Sequence, residues 1–225
     1  MKAWMTQATS EESEALKQLL SIPSIREKRI LDIGSGRGRF LMALQSHGLQ
    51  ATGVEINPHL RHALIQKGFK VLSPEEFQSG ASQYDVLILS HIIEHFGPAE
   101  LLDFLGSYLK RLSATGHLLI LTPLLNPDFY DDYDHVKPYT PGAISQLLSG
   151  DAGDQVQTNL PFQVKLKELW FRKTPFRFKF FRAAYLKEGL VIRSINLFLA
   201  FLFQLSFRTF GKKDAWIGLF QRTGS

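Results

Sequence analysis

The chain contains no cysteine among its 225 residues. This absence excludes disulfide bonds, thiolate metal sites and a cysteine nucleophile. The N-terminal segment also lacks the apolar core of a secretory signal peptide, so we expect a cytoplasmic protein. No internal repeat or low-complexity tract is visible. With 44% apolar residues, a chain of this length is most simply a single domain, residues 1–225, with a full-sized core.

Acidic residues are scarce in the C-terminal part of the chain. Residues 163–225 contain 13 Lys and Arg but only 3 Asp and Glu, whereas residues 1–162 contain 13 and 18. The formal net charge of +5 therefore combines an acidic N-terminal part with a strongly basic C-terminal part. The basic character of the protein therefore belongs to the C-terminal part alone.

The stretch around which the chain is organised is residues 29–40, RILDIGSGRGRF. Apolar residues that carry one acid, Asp32, run directly into Gly34, Gly36 and Gly38, and an apolar helical pattern follows over residues 39–46. This order predicts a buried strand, a tight glycine turn and a helix start. Glycine suits such a turn because the main chain must approach a ligand at the helix N-terminus. A purely structural strand–turn–helix unit is the alternative.

A second strand is predicted in ATGVEIN, residues 51–57, and it ends at Glu55. A carboxylate at the tip of this strand can accept hydrogen bonds from both hydroxyls of a ribose, so the unit predicts a nucleoside site. Dinucleotide-binding proteins usually carry G-x-G-x-x-G, but Arg39 stands where the third glycine or alanine would fall. Asp32 would repel a pyrophosphate and suits a cationic amino-acid group. A nicotinamide-dependent oxidoreductase is therefore the least favoured enzyme.

The segments DIGSGRG, GVEIN and QYDVLILSHIIEHF together resemble the first, second and fourth motifs of class I S-adenosylmethionine-dependent methyltransferases. Within that superfamily they are most similar to the small-molecule group that includes ubiquinone-pathway O-methyltransferases. The resemblance covers residues 29–149 and extends to the last strand. It implies S-adenosylmethionine as cofactor and an acceptor that is a small molecule. The cofactor-binding residues that it implies are Asp32, Gly34, Ser35, Gly36, Gly38, Glu55, Ile56 and Ser90, with an adenine contact within residues 73–77.

The remaining elements alternate between helix and strand. This alternation predicts an α/β fold with a doubly wound, mostly parallel sheet whose ligands lie at the carboxyl ends of the strands. The resemblance implies a Rossmann-like sheet of seven strands with an antiparallel last strand beside the sixth. We expect helices over residues 10–20, 58–67, 98–112 and 139–148, and strands over 69–72, 84–90, 117–122, within 156–170, and over 215–222.

The candidates for chemistry lie where the fourth and fifth strands end. His95 follows the fourth strand, and a long loop that contains Asp134 and His135 follows the fifth. Long loops inside compact domains are usually functional or disordered. Methyl transfer to a hydroxyl benefits from a general base, and histidine has a suitable pKa. We predict His95 and His135 as base candidates with Asp134 as a partner; a packing histidine and a solvated acidic loop are the alternatives.

A metal-assisted reaction is a further alternative. Glu94, His95 and His135 resemble part of the E-x-x-E-H…H metal motif of small-RNA 2′-O-methyltransferases. His91 stands where that family has glutamate, and we therefore predict no bound metal. A metal-assisted RNA 2′-O-methyltransferase and a cofactor-binding protein without turnover remain the alternative functions.

An unusual segment, residues 170–212, precedes the last strand. Basic and aromatic residues alternate up to residue 187, and a mostly apolar run follows. The 14 residues between Arg193 and Arg208 would form about 21 Å of helix, which is short of a membrane span. We expect a helical insert that covers the sheet, lies on an anionic membrane surface or binds single-stranded nucleic acid. The apolar run favours lipid over nucleic acid.

The sequence therefore predicts a methyltransferase for a small-molecule or lipid-linked acceptor, acting at oxygen. Its predicted parts are an N-terminal helix within residues 1–28, a cofactor-binding core at 29–150 and the insert at 170–212. The protein is expected in the cytoplasm, with a peripheral position at the inner face of a membrane as a second option.

Overall fold

The computed structural model describes residues 10–126, 128–150, 160–178 and 189–223. Its strands form a single seven-stranded sheet in the order β3-β2-β1-β4-β5-β7-β6, mostly parallel with an antiparallel β5-β7-β6 region. The predicted fold class is therefore confirmed. The strands are β1 (Ile30–Ile33), β2 (Ala51–Val54), β3 (Lys70–Leu72), β4 (Tyr84–Ser90), β5 (Leu112–Pro123), β6 (Gln163–Thr174) and β7 (Lys212–Thr223).

Seven α-helices are present among the described residues. Short 3-10 turns at Ile25–Glu27, Ile93–His95 and Phe129–Asp131 complete the connections. The helices are α1 (Glu11–Leu20), α2 (Arg39–Ser46), α3 (Pro58–Gln66), α4 (Pro74–Ser79), α5 (Pro98–Leu109), α6 (Pro141–Ser149) and α7 (Leu190–Leu205). No helix of the described ranges is long and apolar enough to cross a membrane.

The centre of the sheet is the parallel pair β1 and β4. Every residue of β1 is buried, and Ile30 lies opposite Val86 in the ladder as Ile33 lies opposite Leu89. Strands that are buried on both faces read as continuous apolar runs, which explains why both were predicted from the sequence. The strand order reverses between β1 and β4, so the carboxyl ends of these strands form the crevice where ligands bind in open α/β sheets.

Local capping signals fix the helices at that carboxyl edge. The Asn57 side chain accepts hydrogen bonds from the amides of His59 and Leu60 at 2.9 and 3.3 Å, with Pro58 at the first helical position of α3. Ser73 and Glu76 form a capping box at the start of α4. Both helices therefore begin directly after β2 and β3 because side chains satisfy their first backbone amides.

The boundary between α5 and β5 differs from the prediction. The helix ends at Leu109 and not at residue 112, and β5 already begins at Leu112. Tyr84 pairs with Leu112 while Val86 pairs with His117, so β5 carries extra residues at an irregularity in the ladder. Periodicity does not reveal such an irregularity, and the first part of β5 was therefore assigned wrongly.

The chain divides into two compact units. One unit is Glu11–Trp170 with Trp216–Ser225, and the other contains Phe171–Ala215. Since β6 continues to Thr174 and β7 begins at Lys212, the ends of the predicted helical insert are strand residues. Within the second unit, the Arg172 guanidinium donates to both carboxylate oxygens of Asp214 at 2.8 and 3.1 Å. The predicted features at residues 1–9, 151–159 and 179–188 lie outside the described residues.

Candidate cofactor and acceptor site

The turn after β1 adopts a backbone that requires glycine. Gly34, Gly36 and Gly38 have φ angles of 71°, 54° and 78°, in the left-handed region. A β-carbon on Gly34 would lie 2.2 Å from Cδ1 of Ile92, a residue of the turn after β4. The Gly34 amide also donates to the Val54 carbonyl at 2.8 Å. The turn is therefore held between the ends of β2 and β4 and exposes main chain at the crevice.

Ser35 braces this turn from inside. Its hydroxyl is buried and donates to the carbonyl of Asp32 at 3.0 Å. A β-carbon on Gly53 of β2 would lie 2.3 Å from that hydroxyl oxygen, so glycine is needed there for the close approach. The hydroxyl of Ser35, a predicted cofactor residue, is therefore used in a hydrogen bond within the turn. The contribution of Ser35 to ligand binding would be limited to its backbone.

Glu55 lies at the tip of β2 and faces the glycine turn. One carboxylate oxygen accepts from the Gly36 amide at 2.7 Å, and the other accepts from the Asn57 amide at 2.8 Å. The residue is 6% exposed, and Arg61 donates to its main-chain carbonyl at 3.0 Å. A carboxylate can accept about four hydrogen bonds, so two positions remain for the hydroxyls of a ribose.

Asp32 is the second buried acid of the turn. Its side chain is 2% exposed, and its Oδ2 has no hydrogen-bond partner among the described residues. Burial, and to a smaller extent the charge of Glu55, raises the pKa of this carboxyl to about 7. A buried acid without a donor is costly, and a ligand that brings a cation would compensate it. Asp32 and Glu55 thus offer a carboxyl for an ammonium and a carboxylate for a diol.

The turn after β4 is stabilised by an ionic bridge between two buried carboxylates and a partly exposed histidine. His91 has a φ of 56°, and its ring contacts Glu94 through Nδ1 and Glu11 of α1 through Nε2, both at 3.2 Å. Burial would lower the pKa of His91, but the hydrogen bonds and charges of Glu11 and Glu94 outweigh it and raise the pKa to about 9. Glu94 is fully buried and also accepts from the Thr122 hydroxyl at 2.9 Å.

The two predicted base candidates lie next to each other. The ring centroids of His95 and His135 are 5.1 Å apart. His95 Nδ1 lies 3.2 Å from the carbonyl oxygen of Asp134 and 3.4 Å from its carboxylate, and His135 Nδ1 lies 2.7 Å from the carbonyl of Phe129. A carbonyl only accepts, so we place the proton of each neutral ring on Nδ1, which leaves Nε2 as the basic nitrogen. The structure therefore brings His95, His135 and Asp134 together.

Glu94 joins these histidines in a possible ligand set. Glu94, His95 and His135 each offer one ligand atom, and these atoms lie within 4.8 Å of one another. Histidine nitrogens with one carboxylate oxygen suit a divalent transition metal or zinc. The geometry that the metal-assisted alternative requires is thus present, although no metal was predicted.

Comparison with known proteins identifies the family. The family model described as a methyltransferase domain matches residues 6–188, which is most of the chain. This chain belongs to the methyltransferase domain family. A search of curated proteins finds an uncharacterized methyltransferase of Staphylococcus carnosus that is 27% identical over 129 residues, or 56% of this chain and 60% of that protein. The match therefore spans less than two thirds of that relative's length.

Solved methyltransferase structures share the fold. A SAM-dependent methyltransferase from Archaeoglobus fulgidus is 24% identical, with a TM-score of 0.59 over 94% of both chains. The magnesium protoporphyrin IX methyltransferase of Synechocystis PCC 6803 with bound SAH is 12% identical, with a TM-score of 0.59 over 94% of this chain and 82% of that one. These structures show the fold, and the family model shows a methyltransferase domain. S-adenosylmethionine is the cofactor that the sequence resemblance implies.

The residues of this methyltransferase fit the cofactor. Asp32 Oδ2, which has no hydrogen-bond partner among the described residues, suits the cofactor's ammonium, and Glu55 has acceptor positions for the ribose hydroxyls. Ile56 follows Glu55 at the same edge, and its side chain is 78% exposed, so it offers an apolar surface for the adenine ring. Ser90 ends β4 at this edge opposite Leu121. These individual roles remain predictions, and Ser73 is instead occupied in capping α4.

Sequence reasoning missed three residues of this methyltransferase site. Asn57 holds the Glu55 carboxylate through its amide, while Glu11 and His91 fix the turn after β4. The Asn57-Pro58 pair is a recognisable helix start close after Glu55, so Asn57 could have been identified from the sequence. The partnership of Glu11 and His91 spans 80 positions and has no local signal.

The raised pKa of Asp32 predicts that cofactor affinity depends on pH. Below about pH 7 the carboxyl is mostly neutral and attracts an ammonium less, so affinity is expected to fall up to about tenfold for each pH unit below 7. Calorimetric titration with S-adenosylmethionine between pH 5.5 and 8 measures this change. 5′-Methylthioadenosine, which lacks the amino-acid group, is the control ligand and is expected to bind equally across the range. An equal pH dependence for both ligands would contradict the assignment.

Proposed function

We propose that this methyltransferase transfers a methyl group from S-adenosylmethionine to a hydroxyl oxygen of a small-molecule acceptor, with His95 as the general base. The observation that carries the proposal is the orientation of His95. Its Nδ1 is engaged by Asp134, and its side chain remains 31% exposed, so Nε2 can meet an acceptor. Ile92 packs against Gly34, which joins the turn that carries His95 to the cofactor turn.

The chain's contribution to such a reaction is positioning and proton transfer. When bound, S-adenosylmethionine supplies an activated methyl group on a sulfonium, a good leaving group. His95 Nε2 takes the hydroxyl proton while the acceptor oxygen bonds to the methyl carbon and the methyl–sulfur bond breaks, which leaves S-adenosylhomocysteine. Asp134 stabilises the imidazolium that forms, because its carboxylate lies 3.4 Å from Nδ1. His135 packs against Phe129 with ring centroids 4.6 Å apart and bounds the acceptor side.

We extend the proposal to a lipid-linked acceptor. Its support is the composition of the second unit, in which exposed aromatic and aliphatic side chains accompany a strong excess of basic residues. A protein that works on an acceptor with a long apolar tail needs access to the surface in which that tail is held. Acceptor screening therefore begins with lipid extracts.

Removal of the base is expected to lower turnover without affecting cofactor binding. His95→Ala is expected to reduce methyl transfer about 100-fold or more, because general-base catalysis typically contributes that much. His135→Ala is expected to reduce it less, since His135 acts through the packing of the site. Incorporation of labelled methyl groups from S-adenosylmethionine into a lipid extract measures turnover, and calorimetry measures cofactor affinity, which stays within a few-fold.

The matched control is His47→Ala, which removes an exposed histidine whose side chain hydrogen-bonds to Ala43 and Ser46 at its own helix end. Full turnover is expected in this variant. Unchanged turnover in both His95→Ala and His135→Ala would exclude them as catalytic residues.

A second candidate is metal-assisted methylation of an RNA ribose, and the cluster of Glu94, His95 and His135 favours it. In that case the histidines would ligate a divalent ion through Nε2 and could not act as bases. We rank it second because both Glu94 oxygens already accept hydrogen bonds, from His91 and Thr122. Metal analysis of protein purified without chelator or affinity tag separates the two: one equivalent of tightly bound metal, lost in His135→Ala, would replace the general-base proposal.

A further inference from the structure

One side of α7 is an exposed apolar stripe. Its members recur every three or four residues, which places them on one side of a helix. They are Val191, Ile195, Phe198, Phe201 and Leu205, with 74%, 40%, 60%, 46% and 63% of their surface exposed. Ala200 and Phe203, which point to the other side, are buried. The hydrophobic side of a helix normally faces a core, and here part of it faces outward.

The stripe continues beyond the C-terminal end of α7. Phe207 and Phe210, which follow the helix, are 94% and 53% exposed. Phe210 contacts the ring of Phe176, which is itself exposed, at a centroid distance of 5.2 Å. Exposed large apolar residues that adjoin in this way mark an interaction surface, since scattered single ones would need no explanation.

The unit that carries this surface is rich in basic residues. The described residues 171–178 and 189–215 include seven Lys and Arg and a single acid, Asp214. That acid is paired with Arg172 in a bidentate ion pair. The excess positive charge therefore belongs to the other six: Lys173, Arg177, Arg193, Arg208, Lys212 and Lys213.

This charge decides between the possible occupants of the stripe. A second copy of the chain would bring two strongly basic surfaces together, and the repulsion would oppose association. A single-stranded nucleic acid would satisfy the charge but would leave aliphatic residues such as Val191 and Leu205 in water. An anionic lipid surface accommodates both the positive charge and the apolar stripe, because its headgroups attract Lys and Arg while the acyl boundary buries the apolar side chains.

We infer that α7 docks this methyltransferase on an anionic lipid bilayer, with the stripe from Val191 to Leu205 in the acyl boundary and the basic residues at the headgroups. The helix has 16 residues, about 24 Å, which suits a position in the plane of the interface and is too short to span. Docking goes beyond the proposed reaction and does not depend on the identity of the methyl acceptor.

Co-sedimentation of the full-length protein with vesicles tests this docking. Vesicles of phosphatidylcholine with a quarter phosphatidylglycerol are expected to bind the wild type at least about tenfold more tightly than pure phosphatidylcholine, and 0.5 M salt is expected to weaken binding. The double variant Phe198→Glu/Phe201→Glu is expected to lose at least about tenfold in vesicle affinity. Its affinity for S-adenosylhomocysteine, measured without vesicles, is expected to stay unchanged and shows that it is folded.

The control variant Met42→Glu/Ile65→Glu adds the same charge at two exposed apolar residues of α2 and α3. It is expected to bind vesicles like the wild type. A wild type that does not sediment with anionic vesicles would overturn the inference, as would equal losses in the two double variants. Concentration-dependent dimerisation that only Phe198→Glu/Phe201→Glu abolishes, without vesicle binding, would identify a second copy as the occupant and would also overturn it.

Discussion

Glu55→Ala is expected to weaken binding of S-adenosylmethionine at least about 100-fold. The carboxylate is predicted to accept hydrogen bonds from the ribose hydroxyls, and hydrogen bonds to a charged group contribute about 1.5–3 kcal/mol each. The same change frees the Gly36 and Asn57 amides, which Glu55 holds at 2.7 and 2.8 Å, so the turn also loses its preorganised shape. Calorimetric titration with S-adenosylmethionine and S-adenosylhomocysteine measures both effects together.

Two further variants make the Glu55 result specific. Glu55→Gln keeps the shape and one acceptor oxygen, and an intermediate loss is expected. Glu27→Ala removes an exposed acid from the 3-10 turn before β1, at the opposite edge of the sheet, and no loss is expected. Wild-type affinity in Glu55→Ala, with a preserved melting temperature, would place the cofactor somewhere other than at the glycine turn.

Glu94→Ala is expected to lower the free energy of unfolding by about 2–3 kcal/mol. Its carboxylate is fully buried and accepts from His91 and Thr122, so removal leaves the partly exposed His91 imidazolium with one partner fewer and the buried Thr122 hydroxyl without this acceptor. The Glu94 carbonyl also accepts from the amides of Val136 and Lys137, in the loop after His135. Urea denaturation measures the loss, and methyl transfer is expected to fall with it.

The matched control for Glu94 is Glu100→Ala in the first turn of α5. That carboxylate accepts from the Gly97 amide at 2.9 Å in an exposed position, and a loss of about 1 kcal/mol or less is expected. Glu94→Gln separates charge from shape, because its amide oxygen still accepts from Thr122 while the ion pair with His91 is removed. Equal losses for Glu94→Ala and Glu100→Ala would show that the bridge contributes nothing to stability.

The bridge also has a pH signature. The pKa of His91 is raised from 6.5 to about 9, so its stabilising effect is complete below pH 6.5 and is lost as the pH rises through 9. Asp32 affects stability in a different pH range. Its pKa is raised from 3.8 to about 7, so the free energy of unfolding decreases as the pH rises from about 4 to 7 and the buried carboxyl ionises. Asp32→Asn is accordingly expected to stabilise the protein by about 1–3 kcal/mol at pH 8 while it weakens cofactor binding.

The parts of this fold that the sequence predicted are those with local signals. Tyr84–Ser90 was predicted with its observed boundaries because a nearly continuous apolar run begins and ends there. The glycine turn and Glu55 were predicted because a close backbone approach restricts residue type at fixed spacing. The start of β5 was not predicted, because the strand pairing is irregular near Gly116 and such an irregularity produces no hydrophobic periodicity in a short segment.

The parts that the sequence did not predict depend on distant partners. From the sequence, Glu94 was a candidate metal ligand, but in the structure its carboxylate accepts hydrogen bonds from His91 and Thr122. His91 also contacts Glu11 of α1. Likewise, residues 170–174 were predicted as part of a helical insert, yet they belong to β6. There Arg172 pairs with Asp214 across 42 positions. Only the folded chain shows which of several chemically sensible pairings is made.

Hydrogen exchange with and without S-adenosylhomocysteine tests the central claim most directly, because it locates the cofactor. Slower exchange is expected in the glycine turn, residues 34–38, and after β2, residues 55–57, where main-chain amides line the crevice. Residues 26–30 and 50–52, which line a basic cavity at the opposite edge of the sheet, are expected to exchange unchanged. Protection of that opposite edge, without protection of residues 34–38, would contradict the account.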